Sequence, residues 1–145
     1  MRFSGIFGIA LCMLTTPLAA QTVSYGDDSS DWANDGECDD RRFAGSTISS
    51  EFANEDINRD ATDCQNGVEA GTLVLWSLND ALKVTQCKAI DFGDDSGEYA
   101  NDNECDDIRF EGSGMASSVG TESIGKDASD CSSFCDAGVI AVRDY

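Results

Sequence analysis

Apolar residues in this chain come in short bursts separated by long polar, mostly acidic stretches. Thr72-Leu73-Val74-Leu75-Trp76 and Val139-Ile140-Ala141-Val142 are brief β-branched runs that each follow a glycine, and both predict a buried strand. Ahead of them, residues 60–70 and 127–137 predict short helices. Asp60 or Asp127 stands at the N-cap, Asp63 or Asp130 three positions on resembles a capping arrangement, and Gly71 or Gly138 falls where the helix stops. Residues 22–25 and 89–92 predict extended starts that run into acidic turns. The Ser-, Gly- and Glu-rich stretches 44–58 and 111–125 read as surface loops, and residues 77–88 as a joining segment. Trp32 and Tyr99 are expected in the core.

One apolar run has a different meaning. Arg2 precedes Ile6 to Leu14, and Pro17-Leu18-Ala19-Ala20 offers small residues for cleavage before Gln21, so residues 1–20 read as a secretory signal peptide. The run is too short to span a bilayer, and no later segment approaches ~18 apolar residues. The expectation is a soluble protein, secreted or periplasmic, with no membrane insertion after cleavage.

Composition narrows the chemistry. The 145 residues include 28 Asp and Glu, 9 Lys and Arg and no histidine, for a net charge of -19. Without imidazole there is no Ser-His-Asp or Cys-His nucleophile system. The acidity opposes nucleic acid and anionic lipid, whose binding relies on clustered Lys and Arg. It favours a divalent cation or a basic protein as partner.

An internal repeat organises the rest. Sliding the chain by 67 residues superimposes 25–76 on 92–143 without a gap, and 24 of the 52 pairs are identical. Ala33-Asn34-Asp35-Gly36-Glu37-Cys38-Asp39-Asp40 meets Ala100-Asn101-Asp102-Asn103-Glu104-Cys105-Asp106-Asp107, and Asp60-Ala61-Thr62-Asp63-Cys64 meets Asp127-Ala128-Ser129-Asp130-Cys131. The shared residues are concentrated at acids, glycines and cysteines, while apolar positions drift.

Removal of residues 1–20 takes Cys12 with it and leaves six cysteines, an even number that suggests three disulfides in an exported chain. Cys38 and Cys64 recur together as Cys105 and Cys131, so each copy closes its own bridge. Cys87 and Cys135 have Ala20 and Val68 as equivalents, so both partners are missing from the first copy together, as expected of one bond. The predicted pairs are Cys38-Cys64, Cys105-Cys131 and Cys87-Cys135.

The acids carry the candidate chemistry. Seven carboxylates, from Asp27 to Asp40, fall inside fourteen residues, and the bridge beside Asp63 brings Asp60 and Asp63 towards them. Carboxylates crowded in this way raise their pKa values or recruit a cation. Calcium fits, because it takes six to eight oxygens in flexible geometry. Zinc does not, with histidine absent and the cysteines paired. An EF-hand loop begun at Asp31 fails, since Ala33 takes its third position and Arg42 its twelfth. Asp95-Ser96-Gly97 matches the aspartic-protease triplet but sits in a Gly- and Asp-rich turn, so no enzyme is expected. Arg42 and Arg109 are expected to pair with neighbouring carboxylates.

The segments Asn34-Asp35-Gly36-Glu37-Cys38-Asp39 and Asp60-Ala61-Thr62-Asp63-Cys64 resemble the calcium-binding part of the Notch-type cysteine-rich repeats. The resemblance implies that Asp60, Asp63 and Asn34 or Asp35 hold an ion in the first copy, and Asp127, Asp130 and Asn101 or Asp102 in the second. Asp39 and Asp106, each next to a cysteine, join the candidate set. The fold expected is a small disulfide-rich α+β protein, a tandem duplication of two acidic repeats (21–76 and 89–145, joined by 77–88), each with a short helix followed by a short strand. The function expected is calcium binding, about one ion per repeat, in a structural or interaction role. The alternative is an acidic inhibitor or binding protein for a basic partner.

Overall fold

The structure, a computed structural model, describes residues 23–143; the expected signal peptide lies outside the described residues. The chain is a small disulfide-bonded α+β protein. Its elements are β1 (Phe43–Gly45), β2 (Glu51–Ala53), α1 (Ala61–Ala70), β3 (Leu73–Leu75), α2 (Leu78–Val84), β4 (Phe110–Gly112), β5 (Ser118–Gly120), α3 (Ala128–Ala137) and β6 (Ile140–Val142). Three single 3-10 turns lie at Asn54–Asp56, Cys87–Ala89 and Thr121–Ser123.

Both expected helices form, and both stop for the expected reason. Gly71 and Gly138 take left-handed conformations with φ of 74° and 72°, and their N–H groups close onto carbonyls of the last turn. The strands after them form too: β3 pairs antiparallel with β1, and β6 with β4. Gly45 and Gly112 make this pairing possible. Their φ values are +139° and +145°, and a Cβ there would lie 2.1 Å from the carbonyl oxygen of Thr72 or Val139.

The stretches expected to be surface loops are partly structured. Residues 44–58 hold the end of β1 and all of β2, and residues 111–125 hold most of β4 and all of β5. Strands β2 and β5 pair with each other, Phe52 opposite Val119, so the two halves share a ribbon. The pairing reaches 67 residues along the chain, and the segments are too short and polar to announce it locally. The joining segment is itself folded, because α2 packs on β6 and Thr85 Oγ1 accepts a hydrogen bond from the Val142 N–H at 3.1 Å. The expected extended starts do not become strands: residues 23–25 and 90–92 are irregular, and only bridges of Gly26 to Arg59 and Gly93 to Lys126 follow them.

The core is unequal. In the first half Phe43 and Leu73 pack on the Cys38–Cys64 cystine, with Tyr25 stacked on Phe43 at 5.6 Å. In the second, Ile108, Phe110, Met115, Val119 and Ile140 surround the Cys105–Cys131 cystine, and Phe52 from the first half completes the cluster. Burying a phenylalanine this fully is worth roughly 2–3 kcal/mol, so the shared ribbon also joins the halves through apolar contact. All three disulfides connect as expected, with Cα separations of 4.7, 5.8 and 4.7 Å. Trp32 and Tyr99 depart from expectation, since each is 61% exposed.

Candidate metal centre

The Cys38–Cys64 and Cys105–Cys131 cystines each tie the acidic turn to the first turn of the following helix, and so gather acids from both. Asp60 occupies the N-cap position of α1 but makes no capping bond with its side chain. Its Oδ2 instead accepts the Asp39 N–H at 2.7 Å, and Asp127 Oδ2 accepts the Asp106 N–H at 2.9 Å. The helix N-terminus is satisfied from elsewhere: Asp28 Oδ1 accepts the Thr62 N–H at 2.7 Å and its Oδ2 accepts the Thr62 hydroxyl at 2.7 Å, with Asp95 and Ser129 doing the same in the second half. The expected capping role of Asp60 and Asp127 therefore belongs to Asp28 and Asp95. Asp60 and Asp127 are free for another task.

Asp63 Oδ2 accepts the Gly36 N–H at 3.1 Å, and Asp130 Oδ2 accepts the Asn103 N–H at 3.0 Å, which folds the acidic turn over the helix. Asp35 and Asp102 each accept the N–H two residues on, from Glu37 and Glu104. Asn34 and Asn101 hold left-handed backbone with φ of 68°, a conformation asparagine tolerates.

Two acids in each half lack what a buried charge needs. Asp60 and Asp127 are 0% and 2% exposed, and Oδ1 of each has no hydrogen-bond partner; the same is true of Oδ2 of Asp39 and Asp106. Burial pushes the Asp39 carboxyl up to about 6, with Asp35, Asp60 and Asp56 adding repulsion. Burial pushes Asp60 up to about 6 as well, reinforced by Asp63, Asp35 and Asp28. In the second half burial takes Asp106 up to about 6, with Asp102, Asp127, Glu104 and Asp130 contributing. Asp127 is raised by burial and then by Asp130 and Asp102. The eight aspartates singled out from the sequence thus form two electrostatically coupled groups of four. A cavity of about 20 Å³, the size of one ion or water, is bordered by Asp106 and Asp127.

The sulfur atoms beside these acids do not add ligands. Asp60 and Asp127 lie within 4.8 Å of their cystine sulfurs, but both sulfurs are spent in the disulfide and offer no thiolate. The site is an oxygen site.

The expected pairing of Arg42 and Arg109 with neighbouring carboxylates falls on Asp40 and Asp107, which the sequence alone did not single out as the partners. Each is 1% exposed, and each is gripped by an arginine two residues on: Arg42 Nε reaches both Asp40 oxygens at 2.9 Å and Arg42 Nη2 reaches Oδ2 at 2.5 Å. Arg109 repeats the grip on Asp107. The repeated Asp-Asp-x-Arg spacing carried that signal. Compared with known protein families, curated proteins and solved structures, the chain matches none.

Proposed function

We propose that this is an exported, calcium-binding protein built from two copies of one acidic repeat, each copy holding one ion beside its cystine in a structural or interaction role. One observation carries the reading: each half holds two aspartates with a buried oxygen that lacks a partner, Asp39 with Asp60 and the half-buried Asp106 with Asp127. Among the described residues an arginine pairs with Asp40 and with Asp107 and no ion pair is made to these four, although Lys126 borders the small cavity beside Asp106 and Asp127. A buried carboxylate without a counterion is costly, and a divalent cation supplies the missing charge at several oxygens together.

In this reading Asp35, Asp39, Asp60 and Asp63 hold the first ion and Asp102, Asp106, Asp127 and Asp130 the second, with Asn34 and Asn101 shaping the turn above. The likeness of these segments to the Notch-type repeats supports the ligand choice. The absence of thiolate and imidazole donors favours calcium over zinc. Elements that recur at an offset of 67 residues, such as Phe43–Gly45 with Phe110–Gly112 and Ala61–Ala70 with Ala128–Ala137, support the tandem duplication. Three disulfides support export, and none of the described helices is long and apolar enough to cross a membrane.

Calorimetric titration of the oxidised protein with calcium tests the reading. The expected stoichiometry is two, and at ~100 times the dissociation constant each bound calcium adds about 2.7 kcal/mol to stability. A melting temperature indifferent to EDTA and calcium would refute it.

A further inference from the structure

Trp32 and Tyr99 stand at equivalent positions, are equally exposed, and each borders a cleft. The first cleft, about 420 Å³, is lined by Trp32, Asp35, Glu37, Asp39, Glu51 and Glu55 among others. The second, about 450 Å³, is lined by Tyr99, Asp102, Glu104, Asp106 and Glu122, and again by Glu51. The clefts meet at the β2–β5 ribbon, because Glu51 and Ser118 border both. No lysine or arginine lines either one. Asp39 is 94% buried (6% exposed), and its partnerless Oδ2 adds unsatisfied negative charge to the first cleft.

A large aromatic ring left in water costs solvation, and a structural role for Trp32 and Tyr99 would hide them. A ring beside carboxylates in a cleft without cations matches one chemistry closely. A guanidinium group can lie flat on the ring face while its planar fork pairs with a carboxylate, which an ammonium group cannot do in both respects.

We propose that the two clefts form one continuous trough that takes an extended, arginine-bearing polypeptide, with one guanidinium stacked on Trp32 and another on Tyr99. Glu37, Glu51 and Glu55 pair with the ligand in the first cleft and Glu104 and Glu122 in the second. None of these five is among the proposed calcium ligands, although Asp35, Asp39, Asp102 and Asp106 border the same clefts, so the trough goes beyond the metal reading and titrations with and without calcium separate the two. Two linked contacts along one chain make the second intramolecular, which raises affinity beyond that of a single arginine.

The test uses the oxidised protein and an acetylated Arg-Gly-Arg-Gly-Arg-Gly-Arg peptide, followed by calorimetry at ~0.15 M salt, where long-range attraction to the net charge is largely screened. Its lysine analogue serves as the comparison, and every titration is run once in EDTA and once in calcium. The arginine peptide is expected to bind several-fold more tightly than the lysine peptide. Trp32→Ala with Tyr99→Ala is expected to weaken it by about five- to tenfold, the loss of two exposed cation-π contacts. Glu37→Gln with Glu104→Gln weakens it as well. The charge-matched pair Glu69→Gln with Asp136→Asn, on the helices away from the clefts, leaves it unchanged. Equal binding of both peptides with no effect of the aromatic substitutions, or an equal loss in the helix pair, would reduce the attraction to net charge and overturn the trough. Persistence in EDTA supports the trough even where calcium binding fails, whereas loss in EDTA assigns the binding to the ion and overturns the proposal.

Discussion

Asp40 and Asp60 are hidden to nearly the same degree, 1% and 0% exposed, and the chain treats them in opposite ways. Asp40 receives Arg42 and the N–H groups of Arg42 and Asn58, whereas Asp60 receives the Asp39 N–H and the repulsion of three other aspartates. The pH dependence follows. In calcium-free protein Asp39, Asp60 and Asp106 are held up at about 6, against 3.8 in the unfolded chain. Between those values the folded state binds more protons than the unfolded one. The stabilising effect of these groups is therefore full below pH ~4 and is lost as pH rises through ~6. Calcium requires the ionised form and reverses the trend. Melting curves in EDTA and in calcium should thus diverge as pH rises from about 4.5 to 7, with the calcium benefit largest at the neutral end. Asp60→Asn with Asp127→Asn removes two of the charges responsible. This variant should lose calcium binding in a titration, yet melt no lower than the parent in EDTA at neutral pH, because it relieves a buried charge that lacked a counterion.

Ten-residue helices such as α1 and α3 are marginal on their own, so each depends on its ends and its cystine. Asp28→Ala should lower the melting temperature by unpairing the Thr62 N–H, with Asp28→Ser recovering much of the loss; differential scanning of the three proteins checks this. Closing the 26-residue span between Cys38 and Cys64 contributes about 3–4 kcal/mol in the chain-entropy model. Cys38→Ser with Cys64→Ser should therefore shift the urea midpoint strongly downward and weaken calcium binding at the first site, since Asp39 and Asp63 flank the bridge. These features were legible in the sequence because they are local or recur: a glycine stops each helix, a β-branched run follows it, and cysteines repeat at one offset. Strands β1, β2, β4 and β5 were not legible. Each has three residues, and the alternation of so short a segment is lost among serines and glycines. Helix α2 was hidden for a related reason, since its seven residues are held by packing on β6 and by the nearby Cys87–Cys135 bond rather than by their own pattern. The capping role expected of Asp60 fails because position in a helix does not say where a carboxylate points, and the Asp39 N–H lies within its reach.

At the scale of the whole molecule the two halves are held by residues that differ between them. Arg41 Nε donates to Glu111 Oε2 at 3.0 Å, and Arg143 Nη2 donates to the same oxygen. Arg41 Nη1 also reaches the Ala116 carbonyl at 2.8 Å, while Arg143 Nη1 reaches the carbonyls of Arg41 and Phe43 at 2.9 and 3.0 Å and its guanidinium lies 4.2 Å over the Phe52 ring. At the equivalent positions stand Ile108 for Arg41, Ala44 for Glu111 and Trp76 for Arg143. A symmetric pair would make each Arg–Glu contact twice, residue i on j and j on i, whereas here the clasp is made once by residues that have no like equivalent in the other half. Among the described residues two guanidinium groups, each at most 5% exposed at the side chain, share one carboxylate oxygen of Glu111. Glu111→Gln removes the carboxylate that both guanidinium groups share and should cost about 3–5 kcal/mol, read as a lower denaturant midpoint. Replacing all three by apolar residues of similar volume, as in Arg41→Met with Glu111→Leu and Arg143→Met, should recover most of that loss, because the desolvation of the ions disappears with them. Calcium stoichiometry measured on both variants separates the clasp from the ion sites. It should stay at two, since neither site draws a ligand from the clasp; a fall to one would mean that one half holds its ion only while docked, and a fall to zero that both do.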